Sequence, residues 1–400
     1  MSTRAAHNAS ALLLGTSIAA RLPVTMLGVG LLVHAKELTG SFAAAGLVTG
    51  AYALGTGVGG PLLGRRVDLS GQTRVLLASA FVTAALLLTL ALVPQGAPTA
   101  LLVGLAAGVG LATPPVGACV RALIPELSPD AIAARKAYAF DATAVELTWI
   151  SGPPLALLVG AVTSTGTAIA VAGGVVLLCT AAFAAHPASR GWRPRTAPAR
   201  TRGGSMAAPG MRTLVLAMTA IGVLFGAVEV GVTSATDALA TTTAAGPLLG
   251  VWGLGSLIGG LIATRAGGGA QTGAGLASIV AALAVGHLLL VPAAGSVVAM
   301  GAALLLAGTL IAPASASAYA MVERVAPGET VTEAFAWLAT ALAVGSAAGA
   351  AAAGPLADRL GASPAFAFAA GAGALATAVV ALRPGSLSLP RRPVLAPVEA

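Results

Sequence analysis

Leu54-Gly55-Thr56-Gly57-Val58-Gly59-Gly60, followed by Arg65, is matched 200 residues later by Leu254-Gly255-Ser256-Leu257-Ile258-Gly259-Gly260, followed by Arg265. Each stretch ends a charge-free run, 38–64 and 238–264, of the length that suits one helix. A register kept across half the chain indicates a duplicated unit.

The surrounding composition fixes the solvent of that unit. Of 400 residues, 57% are hydrophobic and only 8% are charged, with a mean hydropathy of +0.93. A soluble domain carries about 25% charge. So little charge cannot cover a chain of this length in water, so lipid must solvate it. A hydrocarbon core takes about 20 apolar residues per helix, and backbone groups in lipid are satisfied inside the helix. Longer runs break at Pro94-Gln95-Gly96-Ala97-Pro98, near Thr163-Ser164-Thr165-Gly166, and at Pro292-Ala293-Ala294-Gly295. Twelve spans result: 11–33, 41–63, 75–93, 99–123, 137–161, 166–185, 212–236, 245–264, 273–292, 296–320, 332–354 and 363–382. The repeat pairs the second span with the eighth, as a 6+6 duplication requires. The run from Ala11 to Val33 precedes a faint cleavage-like Val33-His34-Ala35. It contains Arg21 and Pro23 and is long for a signal, so it reads as the first span.

Positive charge orients the bundle. With the N-terminus inside, 18 of the 21 basic residues fall in cytoplasmic segments; Lys36 and Arg359 fall outside, and Arg21 lies within the first span. Arginine and lysine stay on the cytoplasmic side, so both termini are expected there, in a cell membrane. The net charge of +8 belongs to this topology and not to nucleic-acid binding, for which 4% aromatics leave few stacking platforms. From His186 to Arg212 there are six arginines, no acid and several Pro and Gly, the composition of a mobile linker without a core of its own. The expected organisation is a six-helix bundle at 1–186, a basic cytoplasmic linker at 187–211, a second bundle at 212–384 and a tail at 385–400. Cys119 and Cys179 lie in apolar runs as small packing residues, with no disulfide or metal framework. Lysine is confined to Lys36 and Lys136 while Arg, Ala and Gly abound, a bias of GC-rich bacterial genomes.

Twelve helices, a basic central loop and a Gly-rich turn with arginines after the second span resemble the major facilitator superfamily over essentially the whole chain. The most specific piece is Gly60-Pro61-Leu62-Leu63-Gly64-Arg65-Arg66-Val67-Asp68, continuing through Gly71 and Arg74. It matches the superfamily's loop signature at Gly60 and Arg65. Gly64 stands where the signature has an acid and Val67 where it has the second Gly, while Asp68 follows one helical turn later. The resemblance implies an all-α fold of two pseudo-symmetric six-helix bundles, with Gly60, Gly64, Arg65, Arg66, Asp68 and Arg74 as a conformational loop. A fuller copy, Gly354-Pro355-Leu356-Ala357-Asp358-Arg359-Leu360-Gly361, falls on the outer side and reads as a turn with a local ion pair. In the fifth span, Gly152-Pro153-Pro154 after Ser151 resembles the Gly-Pro core of drug/proton antiporters, and by itself also kinks a helix.

Charges inside spans cost about 2.5–3.5 kcal/mol or more and are functional candidates. Arg21 lies mid-way along the first span and Glu146 at similar depth in the fifth; the resemblance implies that the fifth helix packs beside the first, so the two are expected to pair, either in the transport cycle or as a staple between the helices. Glu229, in the outer half of the seventh span with no basic residue near it in sequence, is the better proton carrier. Asp141, after Arg135 and Lys136, reads as a first-turn acid favoured by the helix dipole. His287 is expected on the lipid-facing periphery, where the resemblance places the ninth helix. Gly104/Gly108 and Gly345/Gly349 have the spacing of close helix approach. Trp149, Trp252 and Trp337 face either cavity or interface.

These features point to a secondary transporter of small molecules, exporting them against protons by alternating access about a midplane site. Proton-coupled uptake is the main alternative, and a non-transporting sensor a further one. A Walker loop requires Gly-Lys-Ser/Thr, which neither lysine has, so no ATPase lies within the chain. Four scattered histidines offer no catalytic or metal cluster; no enzyme activity, metal or cofactor is expected. The expected partners are the bilayer, protons and a small lipophilic or amphipathic substrate, with the protein acting as a monomer.

Overall fold

The computed structural model describes residues 3–193, 204–241 and 244–387. Twelve helical segments follow one another: α1 Thr3–Thr39, α2 Phe42–Ser70, α3 Gln72–Ala91, α4 Thr99–Leu127, α5 Ala131–Val162, α6 Thr165–Ala185, α7 Pro209–Ala238, α8 Ala245–Arg265, α9 Gly273–Ala293, α10 Val297–Val325, α11 Val331–Leu360 and α12 Ala362–Ala381. Among the described residues, eleven helices are long and apolar enough to cross a membrane. The twelfth segment, α2, has the length but carries seven glycines with Arg65, Arg66 and Asp68.

Helix ends follow local chemistry. Ser41, Asp130, Ser164, Thr272 and Ser296 each accept a hydrogen bond from the backbone N–H three residues on, satisfying a donor the helix leaves open. α4 breaks at Thr113-Pro114-Pro115, where two prolines remove backbone donors. The helices outrun the expected spans. α2 continues to Ser70, α5 starts six residues early at Ala131, and α7 starts at Pro209, because helices continue into the headgroup layer beyond the hydrocarbon.

The repeated glycines do the same job twice. A Cβ at Gly59 would lie 2.7 Å from Leu111 Cα, and one at Gly259 would lie 2.8 Å from Thr309 Cα. The first pair brings α2 against α4, and the second brings α8 against α10. Gly110 meets the Tyr52 backbone as Gly308 meets that of Trp252. The duplication legible at 54–60 and 254–260 is therefore a duplicated helix crossing. Gly345 and Gly349 close α11 onto α7, where they meet the backbones of Thr219 and Val223; Gly104 meets nothing and Gly108 only the Leu86 side chain.

The two bundles touch toward one end. We call this the linker end, since α6 finishes and α7 begins there. α2 packs on α11: Thr340 Oγ1 donates to Gly57 O at 2.9 Å, and Gly64 faces the Thr332–Glu333 backbone. α5 packs on α8: Gly253 meets Ile150, and the Gly260 backbone meets Thr143. Toward the far end the same faces part. Gly46 and Gly50 of α2, and Gly246 and Gly250 of α8, would carry a Cβ with nothing within 4 Å.

The linker expected at 187–211 includes 194–203, which lie outside the described residues. Its described flanks are packed, contrary to a segment without a core. Trp192 is buried against Leu13, Val67 and Phe183, and Ser189 Oγ donates to Gln72 Oε1 at 2.9 Å. Of the tail, 388–400 lie outside the described residues, while Leu387 is buried and Ser386 bonds Thr213.

Candidate functional site

Two hydrophobic clusters lie in the first bundle, while buried residues of α4 and α5 such as Ile124 and Tyr138 join the core of the second bundle. One cluster surrounds Leu31, Leu87 and Leu102; the other surrounds Leu13, Leu76 and Phe183. On α1, Arg21 lies between Ala20 of the second cluster and Met26 of the first, and it belongs to a charged layer. Arg21 of α1 donates through Nη2 to Asp141 Oδ1 at 2.7 Å, and Arg121 of α4 donates through Nε to Asp141 Oδ2, also at 2.7 Å. The Asp141 side chain is fully buried, and those of Arg21 and Arg121 are 12% and 7% exposed. One carboxylate thus holds two guanidinium groups, and the cluster keeps an excess positive charge. Arg21 also donates through Nε to Ser17 O at 3.0 Å, while its Nη1 is buried without a partner.

The layer reaches the second bundle through an aromatic floor. The Arg121 guanidinium lies 3.9 Å from the centre of the Tyr319 ring of α10. Tyr319 and Tyr138 both pack on Phe335 of α11, with ring centres 6.1 and 5.9 Å apart. Tyr138 donates to Arg121 O at 3.3 Å. A cation over a desolvated ring is worth about 2 kcal/mol, so this contact helps hold the bundles together at the linker end.

The expected pairing of Arg21 with Glu146 is corrected: Arg21 pairs with Asp141. Asp141 is not a first-turn acid, because α5 begins ten residues earlier at Ala131 and is capped by Asp130. Its buried position faces α1 and α4. Glu146, five residues on, is turned about 140° around the helix and lies against Ser256 of α8. Glu229 of α7 is exposed, one turn beyond Phe225, whose ring meets Trp252 edge-on with centres 5.2 Å apart. Arg121 is the residue that the sequence reading missed, having been counted with the charges of the linker end. Its place within the apolar run Val116–Leu127 was the available signal.

His287 is fully buried and not lipid-facing. It accepts from Trp252 Nε1 at 3.1 Å and donates through Nδ1 to Leu283 O at 2.8 Å, which fixes one neutral tautomer and ties α8 to α9. Of the other tryptophans, Trp149 is exposed and Trp337 half-buried. Gly152 lets α5 approach α1: a Cβ there would lie 2.8 Å from Thr25 Cβ, and Thr25 Oγ1 donates to Thr148 O at 2.7 Å. The helix runs on through Pro153 and Pro154 without a break.

The stretch expected as a conformational loop is helical apart from Gly71: Arg65 and Arg66 end α2, Arg74 begins α3, and all three are exposed. Gly60 faces Thr340 and Ala336, and Gly64 leaves room for the start of α11. Asp68 is buried and accepts from the backbone N–H groups of Thr332 at 3.0 Å and Glu333 at 2.8 Å. It thereby bridges the bundles at the N-terminus of α11, where donors stand open and the helix dipole favours an anion. Asp68 lies past the apolar part of α2, and burial pushes its carboxyl up to about 7 against the lowering effect of those two N–H groups. Glu333, on the same turn, accepts from Ser205 N and Oγ at 3.4 and 3.3 Å, docking the end of the linker onto α11. The Asp358-Arg359 copy at the far end forms no ion pair among the described residues: both side chains are exposed at the end of α11, and the turn is made by Gly361 at φ +85°.

A family model described as Major Facilitator Superfamily matches residues 13–309. No curated protein matches the chain. Among solved structures, the human organic anion transporter MFSD10 (TETRAN) is 16% identical with a TM-score of 0.71, covering 93% of this chain and 98% of that one. A bacterial homologue of the iron transporter ferroportin, in an outward-facing state with soaked iron, is 15% identical with a TM-score of 0.74 and the same coverage. A structure described as a bacterial homologue of the iron transporter ferroportin in an outward-facing state gives 14% identity and a TM-score of 0.73, covering 94% of this chain and 98% of that one. At these identities the likeness is one of fold.

Proposed function

Because the chain belongs to the Major Facilitator Superfamily and is a multi-pass membrane transporter of that family, we propose that it exports small molecules across a cell membrane in exchange for protons, by alternating access. The observation that carries this reading is the asymmetry of the bundle contact. α2–α11 and α5–α8 are closed at the linker end, while the same faces part toward the other. Such a wedge is one end state of a rocking pair of bundles. The arginine bias supports a cytoplasmic linker end, which makes this state open to the outside.

Two carboxyls are suited to the proton. Glu146 lies near Ser256 across the α5–α8 contact, and among the described residues neither Glu146 nor Glu229 is in an ion pair. Asp141 is committed to two arginines and serves the architecture of the site. The predominance of apolar side chains favours a lipophilic or amphipathic substrate.

The test is flux in proteoliposomes with an imposed pH gradient and a lipophilic fluorescent dye such as ethidium. Gradient-driven dye movement is expected to fall at least tenfold in Glu146→Gln or Glu229→Gln, on the usual scale for losing a proton-transfer group. Unchanged gradient-driven flux in both variants removes the coupling assignment. For topology, a cysteine replacing Arg193 is expected to resist an impermeant maleimide in intact cells, and one replacing Ala97 to react.

A further inference from the structure

At the far end of the first bundle, three polar side chains form a closed chain that the transport reading does not use. His34 of α1 approaches Thr165 Oγ1 through Nδ1 at 2.7 Å and Leu90 O through Nε2 at 3.2 Å. Thr165, the first residue of α6, approaches Glu37 Oε2 at 2.6 Å. His34 is buried and Glu37 is exposed.

Counting protons shows what this geometry requires. A carbonyl oxygen only accepts, so Nε2 carries a proton toward Leu90. The threonine hydroxyl has one proton to give. If it gives it to Glu37, Nδ1 must also carry a proton, and the ring is an imidazolium beside a carboxylate. If it gives it to Nδ1 of a neutral ring, Glu37 must carry a proton and donate to Thr165. Either way the chain holds one proton more than a neutral imidazole plus a carboxylate. Without it, two lone pairs face one another across 2.7 or 2.6 Å, and one contact opens.

We propose that His34, Thr165 and Glu37 form a proton-binding site that joins α1 to α3 and α6. The charged neighbours are few. Lys36 and Glu37 lie at this end of α1, α3 carries Arg74 alone at its opposite end, α6 has no charged residue, and the connections 92–98 and 163–164 have none. Glu37 is thus the acid that balances a proton here, and its exposure gives water access to the chain. His287 is the internal contrast: there, one bond donated and one accepted need no extra proton.

The test uses the full-length protein in lipid nanodiscs with ring-labelled histidine, followed by NMR against pH, with His34→Gln assigning the His34 signals. In the wild type, loss of the bound proton is expected to move the ring nitrogens of His34. Glu37→Gln supplies a neutral side chain that can both donate and accept, and Thr165→Val cuts the chain. Each is expected to weaken proton binding at least tenfold, so that the His34 signals titrate one pH unit or more lower. Glu37 is exposed, so its variant keeps the fold. A His34 titration unmoved by both variants, or a ring that is a single neutral tautomer across the whole pH range in wild type and Glu37→Gln alike, overturns the proposal.

Discussion

Arg21 and Asp141, 120 residues apart in sequence, meet at 2.7 Å, and the second oxygen of the same carboxylate is held by Arg121. The carboxylate therefore neutralises a layer that would otherwise place two guanidinium groups in the core of the first bundle. Removing one partner of a buried pair leaves the other charge uncompensated and costs about 3–5 kcal/mol. Asp141→Asn is accordingly expected to lower unfolding stability in detergent by about that amount. A variant as stable as wild type in chemical denaturation would show that the layer is hydrated.

Arg121 also touches the second bundle, through the Tyr319 ring at 3.9 Å. Tyr319→Phe keeps a ring face and Tyr319→Leu removes it. The leucine variant is expected to weaken closure at the linker end by about 0.5–2 kcal/mol, while the phenylalanine variant stays close to wild type. Distances between spin labels placed on the linker ends of α4 and α10 report the population. Equal distributions in the two variants would refute a cation–π contribution.

Gly259 lies against the Thr309 backbone, whereas Gly250, on the same helix, meets nothing within 4 Å. Backbone cannot move aside as a side-chain tip can. Gly259→Ala should therefore cost at least about 1–3 kcal/mol, the range for overpacking. Gly250→Ala should be neutral or slightly stabilising, because alanine is the better helix former. Thermal unfolding of the two variants side by side distinguishes a packing role for the repeat from mere glycine richness.

Asp68 couples the linker-end contact to pH. Its carboxyl has a value near 7 when docked and buried on α11, against an ordinary value of 3.8. Between these limits, docking takes up a proton. Closure is therefore favoured below pH 4, loses ground progressively as pH rises from there toward 7, and has lost that contribution above 7. Spin labels on α2 and α11 should show the linker end opening as pH passes from 5 to 8. Asp68→Asn should flatten that dependence; a slope that survives the substitution would assign it to another group.

Much of this fold was legible residue by residue. The breaks at 94–98, near 163–166 and at 292–295 separate helices as expected, since proline, glycine and capping residues act on their own neighbours. The glycine repeat at 54–60 and 254–260 was visible because close helix approach demands the same small residue wherever it recurs. The charged layer was only half visible. Arg21 and Asp141 stood out as charges in apolar runs, but Arg121 was counted with the topology signal, and Asp141 was assigned to the wrong turn because α5 begins earlier than its apolar stretch.

Sequence by itself determined the solvent, the number of helices and the twofold repetition, because lipid imposes its demands on each segment separately: about 20 apolar residues, with backbone bonds made internally. Only the tertiary structure decided the partners. Each residue turns a helix by about 100°, so five positions send Asp141 to two arginines and Glu146 to Ser256. Which helix waits in each direction is fixed by packing among all twelve, and that is also what set His34 against Thr165 and Leu90 O, and His287 against Trp252 and Leu283 O.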